Sequence, residues 1–162
     1  MTALTQHLHH EHRNLEPHLE SILAAAHAVG SAPHPVLRDM TDAVLQFVLR
    51  ELDGHARSED EVLYDAVERA TSTGVSIDTL RREHVEINRL SAELSDLHGS
   101  LVVSREPSEE TTRALRRVLY GLHAVISLHF AKENEILVPW LEAALTAQEQ
   151  DALLGRLRSL AA

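Results

Sequence analysis

Two stretches decide the reading of this chain: His55-Ala-Arg-Ser-Glu59-Asp-Glu-Val-Leu-Tyr64 and His129-Phe-Ala-Lys-Glu133-Asn-Glu-Ile-Leu-Val-Pro139. In both, a histidine precedes a glutamate by four residues, which on an α-helix puts the two side chains on one face, a turn apart. Both pairs interrupt an apolar stripe. The first stripe runs Met40, Val44, Val48, Leu52, His55, Glu59, Val62, Ala66, and the second runs Leu115, Leu119, Leu122, Ile126, His129, Glu133, Ile136, Trp140. Steps of three and four residues are the helical period, and no segment alternates with the period of a strand. These segments are therefore predicted as amphipathic helices that turn ionisable groups toward a core.

Two more segments carry the same period, through Leu8, His12, Leu15, Leu19, Ile22, Ala26, Val29 and through Leu80, His84, Ile87, Leu90, Leu94, Leu97. His12 and His84 sit in matching contexts, Glu11-His12 and Glu83-His84. The chain thus reads as an internal repeat of two helical hairpins, with the single histidines 72 residues apart and the His/Glu pairs 74 apart. Three loops punctuate it: Gly30 to Pro35, Thr71 to Ser76, and Gly99 to Pro107. Pro35 and Pro107 fall at helix starts, where a missing N–H costs little. Thr146 and Glu149 form a capping-box pattern that opens a short terminal helix over roughly 147–160. Pro17 and Pro139 lie inside helical patterns and predict a kink or a break at each. The expected architecture is all-α: one domain, 1–162, with an antiparallel up-down-up-down four-helix bundle over about 3–145 and a short C-terminal helix.

Composition narrows the function. Of 162 residues, 44% are hydrophobic and 25% charged, an ordinary globular balance, and the formal charge of −10 opposes binding to nucleic acid or anionic lipid. The absence of cysteine excludes disulfides, thiolate metal sites and cysteine nucleophiles. Nothing resembles a signal peptide, and no apolar run is long enough for a membrane span, so the expected location is cytoplasmic. The anomaly is twelve histidines.

Six groups occupy positions where the stripes require apolar side chains: His12, His55, Glu59, His84, His129 and Glu133. In an antiparallel hairpin, residues equidistant from the turn lie at one height. The midpoint of positions 12 and 55 falls between Pro33 and His34, that of 84 and 129 between Glu106 and Pro107, and that of 59 and 84 between Thr71 and Ser72. Each midpoint lies in or beside a loop, so all four helices bring their groups to one level. Buried carboxylates need a partner or a metal. Imidazole plus carboxylate without thiolate suits iron, manganese or zinc, and six groups exceed what one tetrahedral zinc takes. If each Glu bridges two octahedral ions, the protein fills eight of twelve positions. A bridging oxo or hydroxo group adds two, leaving about two open for dioxygen, peroxide or water. The expected cofactor is therefore a pair of iron ions. His9, one turn before His12, is a reserve ligand, and Glu51 is a candidate to join or orient the site. His7, His10, His18, His27, His34, His98 and His123 lie mostly off the stripes or in loops.

The two His-x-x-x-Glu stretches, with Glu11-His12 and Glu83-His84, resemble the hemerythrin-like family, the group with His-His-Glu cation-binding domains, over roughly residues 3–145. That resemblance implies a non-haem di-iron centre that binds dioxygen, peroxide or nitric oxide, or senses iron or redox state. Oxygen-carrying hemerythrins place a second histidine four residues after the one on the third helix, where this chain has Asn88. They also carry an aspartate at a longer spacing on the last helix, where this chain has Glu133. Fewer histidines leave iron more open, which argues against simple oxygen carriage. Two alternatives stay open from the residues: a di-iron oxidoreductase of peroxidase or catalase type, and a structural bundle. The Glu-x-x-His order of ferritin-like di-iron proteins and the His-Glu-x-x-His of zinc hydrolases are both missing.

Overall fold

The computed structural model describes residues 1–70 and 77–160, and the expected loop Thr71 to Ser76 lies outside the described residues. Apart from short connections, the described residues are helical, with no strand among them. Helix α1 spans Ala3–Ala28. After the turn, α2 (His34–Phe47), π1 (Val48–Leu52), α3 (Asp53–Ser58), π2 (Glu59–Leu63) and α4 (Tyr64–Ala70) run end to end. Helix α5 spans Asp78–Val103. Then α6 (Glu109–Lys132), π3 (Glu133–Leu137) and α7 (Val138–Ala144) form one continuous run, and α8 (Ala147–Leu160) closes the chain.

The helix ends obey local chemistry. Thr146 and Glu149 form the expected box: the Thr146 N–H donates to Glu149 Oε2 at 2.8 Å, and the Glu149 N–H donates back to Thr146 Oγ1 at 3.4 Å. Ser108 caps α6 through the Thr111 N–H, so Pro107 stands just ahead of the cap. Gly30 turns the chain out of α1 with φ of 84°, a conformation that favours glycine. The third loop is shorter than expected, because α5 continues through Gly99 to Val103.

Neither proline breaks its helix. Helix α1 runs unbroken through Pro17, which lies on the exposed side, where a missing N–H donor is tolerated best. Pro139 is the second residue of α7, directly after π3. The π segments have a larger effect on the pattern. Each π turn holds an extra residue and rotates the helix beyond it by about one position. The expected core residue Ile136 is 56% exposed and Leu137 takes its place at 1%. Trp140 and Ala66 are likewise only partly buried, with Leu141 and Val67 inside in their stead.

Helix α1 packs on α2 and α6, and α5 packs on the same two. Contacts run in opposite directions along each pair. Thr2 meets Glu142 while Val29 meets Arg116; Thr41 meets His98 while Asp60 meets Arg81; His84 meets His129 while Glu93 meets Arg117. Helix α8 packs on α1 and π2. Two apolar clusters result, one with Leu15, Ile22, Leu52, Leu94, Leu122 and Phe130, the other with Leu8, Val62, Leu80, Leu137 and Leu157. The charged layer falls where the two clusters meet: His12, Glu59, His84, His129 and Glu133 are all buried there. No helix of the described residues is long and apolar enough to cross a membrane.

Candidate metal centre

The structure brings all six sequence-predicted groups together. His12, His55, Glu59 and Glu133 form one set whose ligand atoms could hold a cation, and Glu59, His84 and His129 form a second. Glu59 belongs to both. Its Oε1 lies 3.0 Å from His55 Nε2 and 3.7 Å from His12 Nε2. Its Oε2 faces the other way, 3.3 Å from His84 Nε2 and 3.6 Å from His129 Nε2. Glu133 Oε2 lies 3.1 Å from His12 Nε2 and 3.5 Å from His129 Nε2. Both glutamates are the first residue of a π segment, π2 or π3. Such segments recur at functional sites, where they re-aim side chains.

Three of the imidazoles are hydrogen-bonded from behind, at Nδ1, and the fourth has a carboxylate near the same atom. His12 Nδ1–H donates to Asn134 Oδ1 at 2.9 Å, His84 to Asp60 Oδ2 at 3.1 Å, and His129 to Glu83 Oε2 at 3.1 Å. His55 Nδ1 lies 3.7 Å from Glu11 Oε2. These supports obey the internal repeat: Glu11 serves His55 as Glu83 serves His129, and Asn134 serves His12 as Asp60 serves His84. With Nδ1 carrying the proton, Nε2 of His12 and His55 presents a lone pair to the centre, while Nε2 of His84 and of His129 share a proton at 3.1 Å. Lone pairs facing carboxylate oxygens at 3.0–3.7 Å repel unless a proton or a cation lies between them. Accordingly, His12 Nε2, His55 Nε2, both Glu59 oxygens and Glu133 Oε2 are buried without a hydrogen-bond partner. Each unsatisfied buried group costs about 1–3 kcal/mol. The donor set fits hard or borderline divalent and trivalent cations.

The repeat is broken at one place, and the centre is asymmetric because of it. The Tyr64 hydroxyl donates to Glu133 Oε1 at 2.6 Å, inside the core. Seventy-four residues on, the repeat has Val138, which cannot donate to Glu59. Glu59 therefore turns both oxygens to the centre, whereas Glu133 turns one. The expected eight protein donor atoms become seven. Tyr64 also stacks on His84, with ring centroids 5.6 Å apart, and the Arg81 guanidinium covers it at 5.5 Å. Replacing Tyr64 by Phe is expected to destabilise the protein by about 2 kcal/mol in thermal or denaturant melts, because a buried carboxylate oxygen loses its donor. A neutral result would mean that water or a rotated Glu133 replaces the hydroxyl.

Without a cation, protons take the place between the two sets of lone pairs. Burial alone favours neutral His12, but the Glu133 and Glu59 carboxylates facing its Nε2 outweigh it and raise its pKa to about 9. His55, against the same opposing burial, is held well above the ordinary range by the Glu59 charge and by Glu11. His129 is raised by Glu59 and Glu133. Burial pushes Glu59 up, yet the charge of His55 and the imidazoles of His12 and His129 beside it hold it well below the usual carboxylate range. Burial and the two glutamates raise Tyr64, so it stays a neutral donor.

The neighbouring candidates stand apart from the six. His9 Nδ1 donates to Asn134 Oδ1 at 2.9 Å, so it braces the residue behind His12 and does not join the ligand sets. Glu51 is exposed and pairs with His18 at 3.4 Å, and it belongs to neither ligand set. Asn88 is exposed, so that position offers the centre nothing. His18 stacks on Phe47, and His98 pairs with Thr41. Sequence reasoning did not assign Asn134, Asp60, Glu83 and Glu11 to the imidazoles they hold. The signal was adjacency, since each of the four stands next to a proposed ligand.

An all-helical chain with a buried layer of histidine and glutamate able to hold cations defines a class of metal-binding helical proteins. The model of the hemerythrin HHE cation binding domain matches residues 3–141, and matches again over 75–161, from the second hairpin onward. The chain belongs to that family. No curated protein and no solved structure gives a significant match.

Proposed function

We propose that the chain is a non-haem di-iron protein that binds a diatomic ligand or peroxide in a redox or sensing role. The carrying observation is Glu59, whose two oxygens face two different groups of imidazoles. One ion would take His12, His55, Glu59 and Glu133; the other would take Glu59, His84 and His129, with Glu133 Oε2 close to both. On this reading residues 1–162 are one domain, an antiparallel up-down-up-down bundle closed by α8. When bound, the iron pair supplies redox-active open positions for dioxygen, nitric oxide or peroxide. The protein's part is to hold and shield. Asn134, Asp60, Glu83 and Glu11 fix the imidazoles, Tyr64 fixes Glu133, and the apolar clusters on either side keep bulk water out. Glu11, Asp60 and Glu83 are engaged with imidazoles rather than turned toward a bound molecule, which favours binding over turnover.

Anaerobic iron loading followed by metal analysis tests the centre, with about two ions per chain expected for a carboxylate-bridged pair. Near-ultraviolet charge-transfer absorption should accompany oxidation. Zero iron, or one tightly held zinc, would remove the proposal. Mixing the reduced, loaded protein with oxygen and then peroxide separates the roles. A lasting spectral change without gas evolution supports binding or sensing, and sustained oxygen release would establish the oxidoreductase alternative.

A further inference from the structure

A cavity of about 270 Å³ opens between α1, α3 and the end of α8. Glu11, Asn14, Glu51 and His55 face it, and Leu157 and Leu160 of α8 wall it on one side. Its lining contains no Lys or Arg. Gly54 also lines it, and a Cβ placed there would meet nothing within 4 Å. His55 belongs to this wall and to the metal centre at once. Its side chain is 6% exposed, its Nε2 lies 3.0 Å from Glu59 Oε1, and that Nε2 has no hydrogen-bond partner. Glu11, the other charged group at the inner end, lies 3.7 Å from His55 Nδ1.

We infer that this cavity is the vestibule through which a hydrated divalent cation reaches the centre, drawn by Glu51 and Glu11 and received at His55. The inference rests on the metal-centre reading of the six ligands. At about 30 Å³ per water the space holds roughly nine waters, enough for an ion that keeps six. Two carboxylates with no Lys or Arg in the lining favour a cation over an anion, and they do nothing for a neutral diatomic. Helix α8 thereby gains a role beyond covering the core, because its last turn completes the vestibule wall.

The test loads the metal-free full-length protein with cobalt(II), monitoring visible absorption for the rate and metal analysis for the final stoichiometry. Gly54→Leu fills the cavity and is expected to slow loading on the order of tenfold at unchanged stoichiometry; Glu51→Gln should slow it by about threefold and flatten its dependence on ionic strength. Asn14→Leu fills the same space from α1, so it separates plugging from a local effect on α3. Ala152→Leu, in the groove between α4 and α8, should leave the rate alone. Wild-type rates in both Gly54→Leu and Asn14→Leu would overturn the vestibule while leaving the centre intact. A wild-type protein that takes up no cobalt would overturn the metal-centre reading itself, and the vestibule with it.

Discussion

A Glu59→Ala protein is expected to retain neither ion, whereas His84→Ala retains one. The difference comes from geometry. Glu59 supplies an oxygen to each ligand set, and its two oxygens face different pairs of imidazoles. Its removal costs both ions a charged ligand and ends their coupling. His84 belongs to the second set alone, and the first set keeps His12, His55, Glu59 and Glu133 without it. Glu133→Ala should fall between the two, since one of its oxygens is already committed to Tyr64. Losses at Glu59 should exceed the roughly 10–100-fold fall in affinity expected when a supporting group such as Glu83 or Asp60 is neutralised. Metal analysis after anaerobic loading, with circular dichroism to show that each variant is folded, checks the order. If Glu59→Ala and His84→Ala retain equal amounts of iron, the carboxylate is not shared.

The helices and the six inward groups were legible in the sequence because both depend on local period. A stripe with steps of three and four residues fixes which face is buried, and a His-x-x-x-Glu pair on that face needs no tertiary information to be noticed. The slip at Ile136 and Leu137 was not legible, since nothing in residues 133–137 announces a π turn to a reading based on regular helices. The same holds for Ala66 and Val67 after π2. Tyr64 was hidden for a different reason. It reads as one more core aromatic, and its hydroxyl acquires meaning only when packing places it against Glu133, 69 residues away. The supports behind the imidazoles were half legible. Glu11 and Glu83 stand beside histidines in both repeats, but each serves a histidine on a different helix, which only the packed structure reveals. At Pro17 local chemistry predicts a kink or a break, and the structure shows that α1 continues through it on its exposed face without a break.

The stabilisation conferred by bound metal is expected to grow as pH rises from about 6.5 to about 9, and the sign comes from the histidines. In the metal-free fold His12 is raised from 6.5 to about 9 by Glu133 and Glu59, against its own burial. A group whose pKa is higher folded than unfolded contributes its stability in full below the unfolded value and loses it as pH climbs through the folded one. For His12 alone that loss is about 3 kcal/mol between the two values, with His55 and His129 acting in the same direction. Glu59 acts oppositely. Held well below 4.5, it contributes above that pH and loses its contribution as acid protonates it. The metal-free protein should therefore be most stable near pH 5–6 and weaken toward pH 9. Bound metal needs the same imidazoles neutral, so it is opposed by protons in acid and freed from that competition in base. For a chain of this size, about 3 kcal/mol corresponds to a melting shift of roughly 6–12 °C. Thermal melts of loaded and metal-free protein at pH 6.5, 7.5 and 9 measure it directly. A gap that stays constant or narrows over that range, with metal shown to be bound throughout, would mean that the imidazoles facing Glu59 and Glu133 do not exchange protons for metal.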